Sequence, residues 1–113
     1  MPILAVNYNG MEVQPDGMID LEMSFQNEKD FVFDLTNTSP TDEIENLVFM
    51  TNLKAEQYSV TLPSNIHAGE NAKAIVTVKR EPLIAMADDM EKSGITQAMT
   101  IRFEYARKRR LFV

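Results

Sequence analysis

The sequence predicts an all-β protein, an antiparallel β-sandwich with one short helix near residues 82–92. Two observations carry that prediction. Apolar and polar residues alternate with period 2 in several short segments, most cleanly over residues 18–25, where Ile19, Leu21, Met23 and Phe25 alternate with Asp20, Glu22 and Ser24. Compact turn signals separate these segments, so that seven or eight short strands fit into 113 residues. A chain of that length is expected to form one domain, residues 1–113, around a single hydrophobic core.

The first strand is expected over residues 3–8. Asn9-Gly10 follows, the pair that best tolerates the positive φ angles of a two-residue type I′ turn, and residues 11–14 return. Gln14-Pro15-Asp16-Gly17 reads as a second hairpin turn, with Pro15 presetting φ and Gly17 taking the left-handed position. Residues 18–25 form the third strand. After a polar connection at residues 26–30, Phe31, Phe33 and Leu35 alternate with Val32 and Asp34, and residues 37–42 break the strand with turn chemistry. Residues 47–51 are a further strand, entered through Ile44 and left by the polar loop 52–56. Tyr58, Val60 and Leu62 then alternate with Gln57, Ser59 and Thr61, which assigns the second set to the wet face. Pro63 ends that strand because it has no N–H to donate to the ladder. A loop with Ile66 and Gly69 leads to residues 72–79, whose inward set is Ala74, Val76 and Val78.

Residues 82–92 break the β pattern. Leu83, Met86, Ala87 and Met90 recur at helical spacing between Pro82, suited to a first helical position, and Gly94, suited to a C-terminal stop. The last strand begins at Ile95 and runs to Tyr105 or beyond, with Met99, Ile101, Phe103 and Tyr105 on one face and Thr100, Arg102 and Glu104 on the other.

Composition excludes several classes of function. The 44% hydrophobic and 25% charged contents suit a folded globular chain rather than a disordered, collagenous or coiled-coil one. No stretch approaches the roughly 20 apolar residues that cross a bilayer, so no membrane partner is expected. Residues 1–10 lack the basic start and apolar run of a secretory signal, and the chain is expected to stay where it is made. Without cysteine there is no disulfide, thiolate nucleophile or cysteine-based zinc site, and stability rests on packing.

Charge is unevenly placed. Residues 1–100 hold 6 Lys/Arg against 16 Asp/Glu, a net of −10, whereas residues 101–113 hold 5 against 1, a net of +4. Arg107, Lys108, Arg109 and Arg110 stand consecutively before Leu111, Phe112 and Val113, and these seven residues are the candidate partner-binding site, a basic C-terminal arm with an apolar tip. The acidic majority repels phosphate everywhere else, which argues against a nucleic-acid partner.

Residues able to carry chemistry are sparse, and no catalytic, cofactor-binding or metal site is expected. His67 is the only histidine and lacks a second His or Cys, so it reads as a solvated loop residue. Ser64, three residues earlier, has no nucleophile-positioning motif around it. Asp16, Asp20 and Glu22, and again Asp88, Asp89 and Glu91, lack the spacing that wraps a calcium ion and read as solvated faces. The 4 glycines never cluster into a phosphate-cradling loop. Asn37-Thr38-Ser39 matches the glycosylation acceptor but reads as a turn, and Met86, Met90 and Met99 read as core filler.

Residues 31–78 resemble the immunoglobulin-like and fibronectin-III-like modules that lack the inter-sheet disulfide. The residues carrying this are a strand ending in Asn37-Thr38-Ser39, the strand at 47–51, Tyr58-Ser59-Val60, Pro63, Ile66 with Gly69-Glu70, and Val76-Thr77-Val78. The resemblance implies that Asn37 satisfies the turn backbone and that the segment from Pro63 to Gly69 crosses before a strand returning to the other sheet. The helix at 82–92 departs from it, standing where such a module has a tight turn. Short, acidic, cysteine-free chains of this kind also resemble small accessory structural proteins of tailed-bacteriophage particles. That implies a non-enzymatic virion component, made in the host cytoplasm and bound to a capsid or tail lattice, with other virion proteins or copies of itself as partners. The alternative is a recognition domain that binds carbohydrate or peptide through loop residues such as Asn65, His67 and Asn71.

Overall fold

Side chains at every second position of a strand share a face, so the alternating segments can bury one face only by stacking two sheets. The computed structural model describes residues 2–21, 28–79 and 98–109 and shows that arrangement. Its strands are β1 (Leu4–Tyr8), β2 (Met11–Glu12), β3 (Gly17–Asp20), β4 (Glu28–Asn37), β5 (Glu43–Met50), β6 (Tyr58–Thr61), β7 (Asn65–Ile66), β8 (Asn71–Lys79) and β9 (Ala98–Lys108). One sheet has the order β2-β1-β4-β8-β6 and the other β3-β9-β5-β7, and every described pairing is antiparallel.

The predicted inward sets meet between the sheets. Phe31, Phe33 and Leu35 of β4 and Ala74, Val76 and Val78 of β8 are fully buried, opposed by Met99 and Ile101 of β9, Ile44 and Phe49 of β5, and Ile66 of β7. Burial of each large apolar side chain contributes roughly 1.5–3 kcal/mol. An aromatic row crosses the core: Tyr8 stacks at 5.3 Å on Phe33, Phe33 meets Phe103 edge-on at 5.9 Å, and Phe103 lies 5.2 Å from Phe49. The Asn9-Gly10 turn takes φ of 51° and 79°, the two positive values that a type I′ hairpin requires. Asn37 closes β4 as the turn chemistry predicts, accepting the Ser39 N–H through its side chain at 2.9 Å.

Several details differ from the sequence reading. The turn at residues 14–17 makes no hairpin: β2 pairs with β1 in one sheet and β3 with β9 in the other, so this turn carries the chain between sheets. Its left-handed residue is Asp16, at φ 63°, while Gly17 is required because a Cβ there would stand 2.9 Å from the Gln14 carbonyl oxygen. Gln57 is buried rather than wet, because a 3-10 turn at Ala55–Gln57 folds its side-chain oxygen back onto the Lys54 N–H at 2.8 Å. The crossing after Pro63 is brief. Only β7 visits the second sheet, and β8 rejoins the sheet of β6, which it flanks. Strand β5 begins at Glu43 and absorbs an irregularity between Glu45 and Val48, where Asn46 adopts φ 53°. The predicted helix at 82–92 and the second half of the segment 18–25 lie outside the described residues, and among those described the 3-10 turn is the one helical element.

Candidate interaction site

Strand β9 carries the first residues of the basic run. Arg107 lies opposite Ile44 and Lys108 opposite Glu43, so both belong to the strand. The Arg107 guanidinium donates through Nε to Asp42 Oδ2, and Thr41 Oγ1 donates to Asp42 Oδ1 at 3.0 Å. Asp42 is only 4% exposed. The hydrogen bond from Arg107 holds its carboxyl below the usual aspartate range, against burial, which pushes it up. Lys108 Nζ lies 3.7 Å from Glu45. Arg109 follows the strand and is exposed, whereas Arg110, Leu111, Phe112 and Val113 lie outside the described residues.

The loop residues of the alternative reading are held by neighbours. The ring Nδ1 of His67 lies 3.1 Å from a Glu43 carboxylate oxygen, and its backbone N–H donates to Glu70. Asn65 pairs with Glu45 through β7, and Asn71 Nδ2 donates to Thr36 Oγ1 at 2.8 Å on the other sheet. The side chains of His67 and Asn71 are thus engaged by Glu43 on one sheet and Thr36 on the other. Asp16 pairs with Arg102 at 2.7 Å, and Asp20 is exposed on β3. Among the described residues no three His, Asp or Glu side chains stand together as a metal site.

A groove lies on the side where the described strands only partly pair β1 and β9. Strand β2 pairs with Asn7 and Tyr8 of β1, the Val13 N–H adds one hydrogen bond to the Val6 carbonyl, and β3 pairs with β9 over residues 98–101. Asp16 N–H donates to the Ile101 carbonyl, and beyond it no described strand pairs that side of β9. Between the two frayed edges runs a groove of about 160 Å³. Leu4, Val6 and Val13 form one wall and Ile101, Phe103 and Tyr105 the other. Pro2 and Pro15 also line it, and the Ile3 N–H donates to the Tyr105 hydroxyl at 3.0 Å across the gap.

Among the described residues, three carboxylates contact polar side chains that line this groove. Arg102 binds Asp16 and, at 3.2 Å, Glu104, which together keep its guanidinium more firmly protonated. Glu12 accepts from the side chain of Gln14, a lining residue. The sequence offered no direct sign of the groove. Its residues come from three separated segments, and all but the prolines and Gln14 read locally as ordinary strand positions. Compared with known proteins, the chain matches no family model, no curated protein and no solved structure.

Proposed function

We propose that the protein is a non-enzymatic structural module that adds to a larger assembly, as an accessory virion component on a phage capsid or tail lattice of the kind its sequence resembles. The observation that carries this reading is a lateral face where an apolar groove runs beside an edge of β9 that, among the described residues, no strand pairs beyond Ile101. The described charged side chains support it, because they are taken up in ion pairs with neighbouring segments: Lys73 with Asp34, Arg102 with Asp16, Arg107 with Asp42. The closure of β4 by Asn37, with two disulfide-free sheets, supports an immunoglobulin-like module, a framework that commonly displays edges and loops to partners. The loop-recognition reading has less support, since His67 and Asn71 are already engaged by Glu43 and Thr36.

The test is purification of the tagged full chain from lysate of the cells that make it, followed by negative-stain imaging. The expected result is co-purification with a regular particle. A chain recovered free of any particle, yet binding a defined ligand on a glycan and peptide array, would replace this reading with the recognition-domain one.

A further inference from the structure

We infer that the groove between β1 and β9 receives residues 109–113 of a second copy, so that copies join head to tail. This deepens the structural role proposed above and rests on it.

Three observations converge on that occupant. The groove is apolar and flanked by backbone of Phe103 and Tyr105 on the side of β9 that no described strand pairs, so it suits an extended segment bearing large apolar side chains. Residues 111–113 are Leu, Phe and Val, preceded by Arg109 and Arg110. Of the groove's lining residues, Arg102 is contacted by Asp16 and Glu104 and Gln14 by Glu12, three carboxylates to one guanidinium among these described contacts, an acidic excess that complements those two arginines.

Reach decides between the copy's own segment and a neighbour's. Phe112 lies three residues beyond Arg109, at most about 11 Å along an extended chain. Phe103, in the groove wall, lies six residues back along β9, about 20 Å from Arg109. Phe112 therefore falls short of the groove wall at Phe103 in its own copy, and a second copy supplies the segment that reaches it. Arg107 and Lys108 stay in β9, held by Asp42 and β5, and set the point at which the segment begins. Because donor and acceptor surfaces differ, the contact is heterologous and generates a ring or an open filament.

Sedimentation velocity on the full chain over a concentration series tests this. The wild type is expected to form species larger than the monomer, and to do so less as salt rises. Phe112→Asp, which removes the apolar plug, and the double variant Glu12→Lys with Glu104→Lys, which reverses the acidic border, are each expected to sediment as monomers. Mixed in equal amounts they should form a 1:1 dimer and nothing larger, since one retains the groove and the other the segment. A labelled synthetic peptide of residues 107–113 should bind the wild type and bind the border variant about tenfold or more weakly. Circular dichroism confirms that both variants are folded, and the peptide arm tests the groove with the unaltered chain. A wild type that stays monomeric throughout the series, a Phe112→Asp chain that associates like the wild type, or a mixture that stays monomeric overturns the inference. If the chain is monomeric yet travels with a particle, the head-to-tail contact fails and the structural role stands; if it self-associates yet travels with none, the virion reading fails instead.

Discussion

Asn37 satisfies three backbone groups with one buried side chain. Its Nδ2 donates to the carbonyls of Asp42 and Ile66 at 2.8 and 2.9 Å, and its Oδ1 accepts from Ser39, tying the end of β4 to β7 and to the start of β5. Alanine at this position strands those groups away from water, and Asn37→Ala is expected to destabilise by about 2–4 kcal/mol, read from urea denaturation. The exposed Asn71→Ala should cost less than about 0.5 kcal/mol. Asp42 gives a pH prediction. Its carboxyl is held below the ordinary value by Arg107, so folding favours the ionised form; the resulting stability is present above the unfolded-state aspartate value, near 4, and is lost as pH falls through the lower folded value. Asp42→Asn should therefore flatten the acid limb of the stability curve below about pH 4 while leaving its slope near neutrality unchanged. An acid limb unchanged in the variant would show that other carboxylates set it.

At the scale of the element, strand register and turn geometry make separate demands. Phe33 is fully buried between Tyr8 and Phe103, and Phe33→Ala is expected to cost about 3–5 kcal/mol, whereas Val60 is half-buried on β6 and Val60→Ala should cost about 1 kcal/mol. Ser59, its exposed neighbour, should tolerate alanine; comparable losses at Ser59 and Phe33 would mean that the register is displaced by one residue. The turn between sheets depends on Gly17 for space. Gly17→Ala should destabilise by about 1–3 kcal/mol, as the new methyl meets the Gln14 carbonyl and the Val13 side chain. At the irregularity in β5 the demand is on φ instead. Asn46→Val is expected to cost about 1–2 kcal/mol and Asn46→Gly close to nothing, which thermal melts of the two variants will separate.

For the whole molecule, the described end of β9 falls inside the basic run, at Lys108. Deleting residues 110–113 leaves every described strand pairing in place, and the melting temperature of the monomer is expected not to change. Deleting 107–113 also removes the last two residues of β9 and the partner of buried Asp42, and the melting temperature should fall by several degrees, on the order of 4–8 °C for each kcal/mol lost in a domain of this size. Equal melting temperatures for the two truncations would place Lys108 and Arg107 outside the cooperative fold. Both shortened chains should keep a β-dominated far-UV spectrum. Long-range strand pairing dominates the contacts, as in β4 with β8 and β1 with β4, so folding is expected in the millisecond-to-second range.

What the amino-acid order determined by itself is local. Period-2 alternation requires neighbouring side chains to take opposite faces, which is why Phe31, Phe33, Leu35, Ala74, Val76, Val78, Met99 and Ile101 were legible as core before any strand was paired. Asn9-Gly10 was legible for the same reason, since few other pairs accept two positive φ angles. Which strand lies beside which is a property of distant segments. Nothing local in Gln14-Pro15-Asp16-Gly17 distinguishes a hairpin from a passage between sheets, because the turn has the same geometry in both and only the pairing of β3 with β9 separates them. Gln57 was misplaced because period 2 holds within a strand and fails in the 3-10 turn that precedes it. The groove depends most on tertiary structure. Among the described residues β2 and β3 pair only part of β1 and β9, and an edge without a described neighbour leaves no mark on the residues that form it.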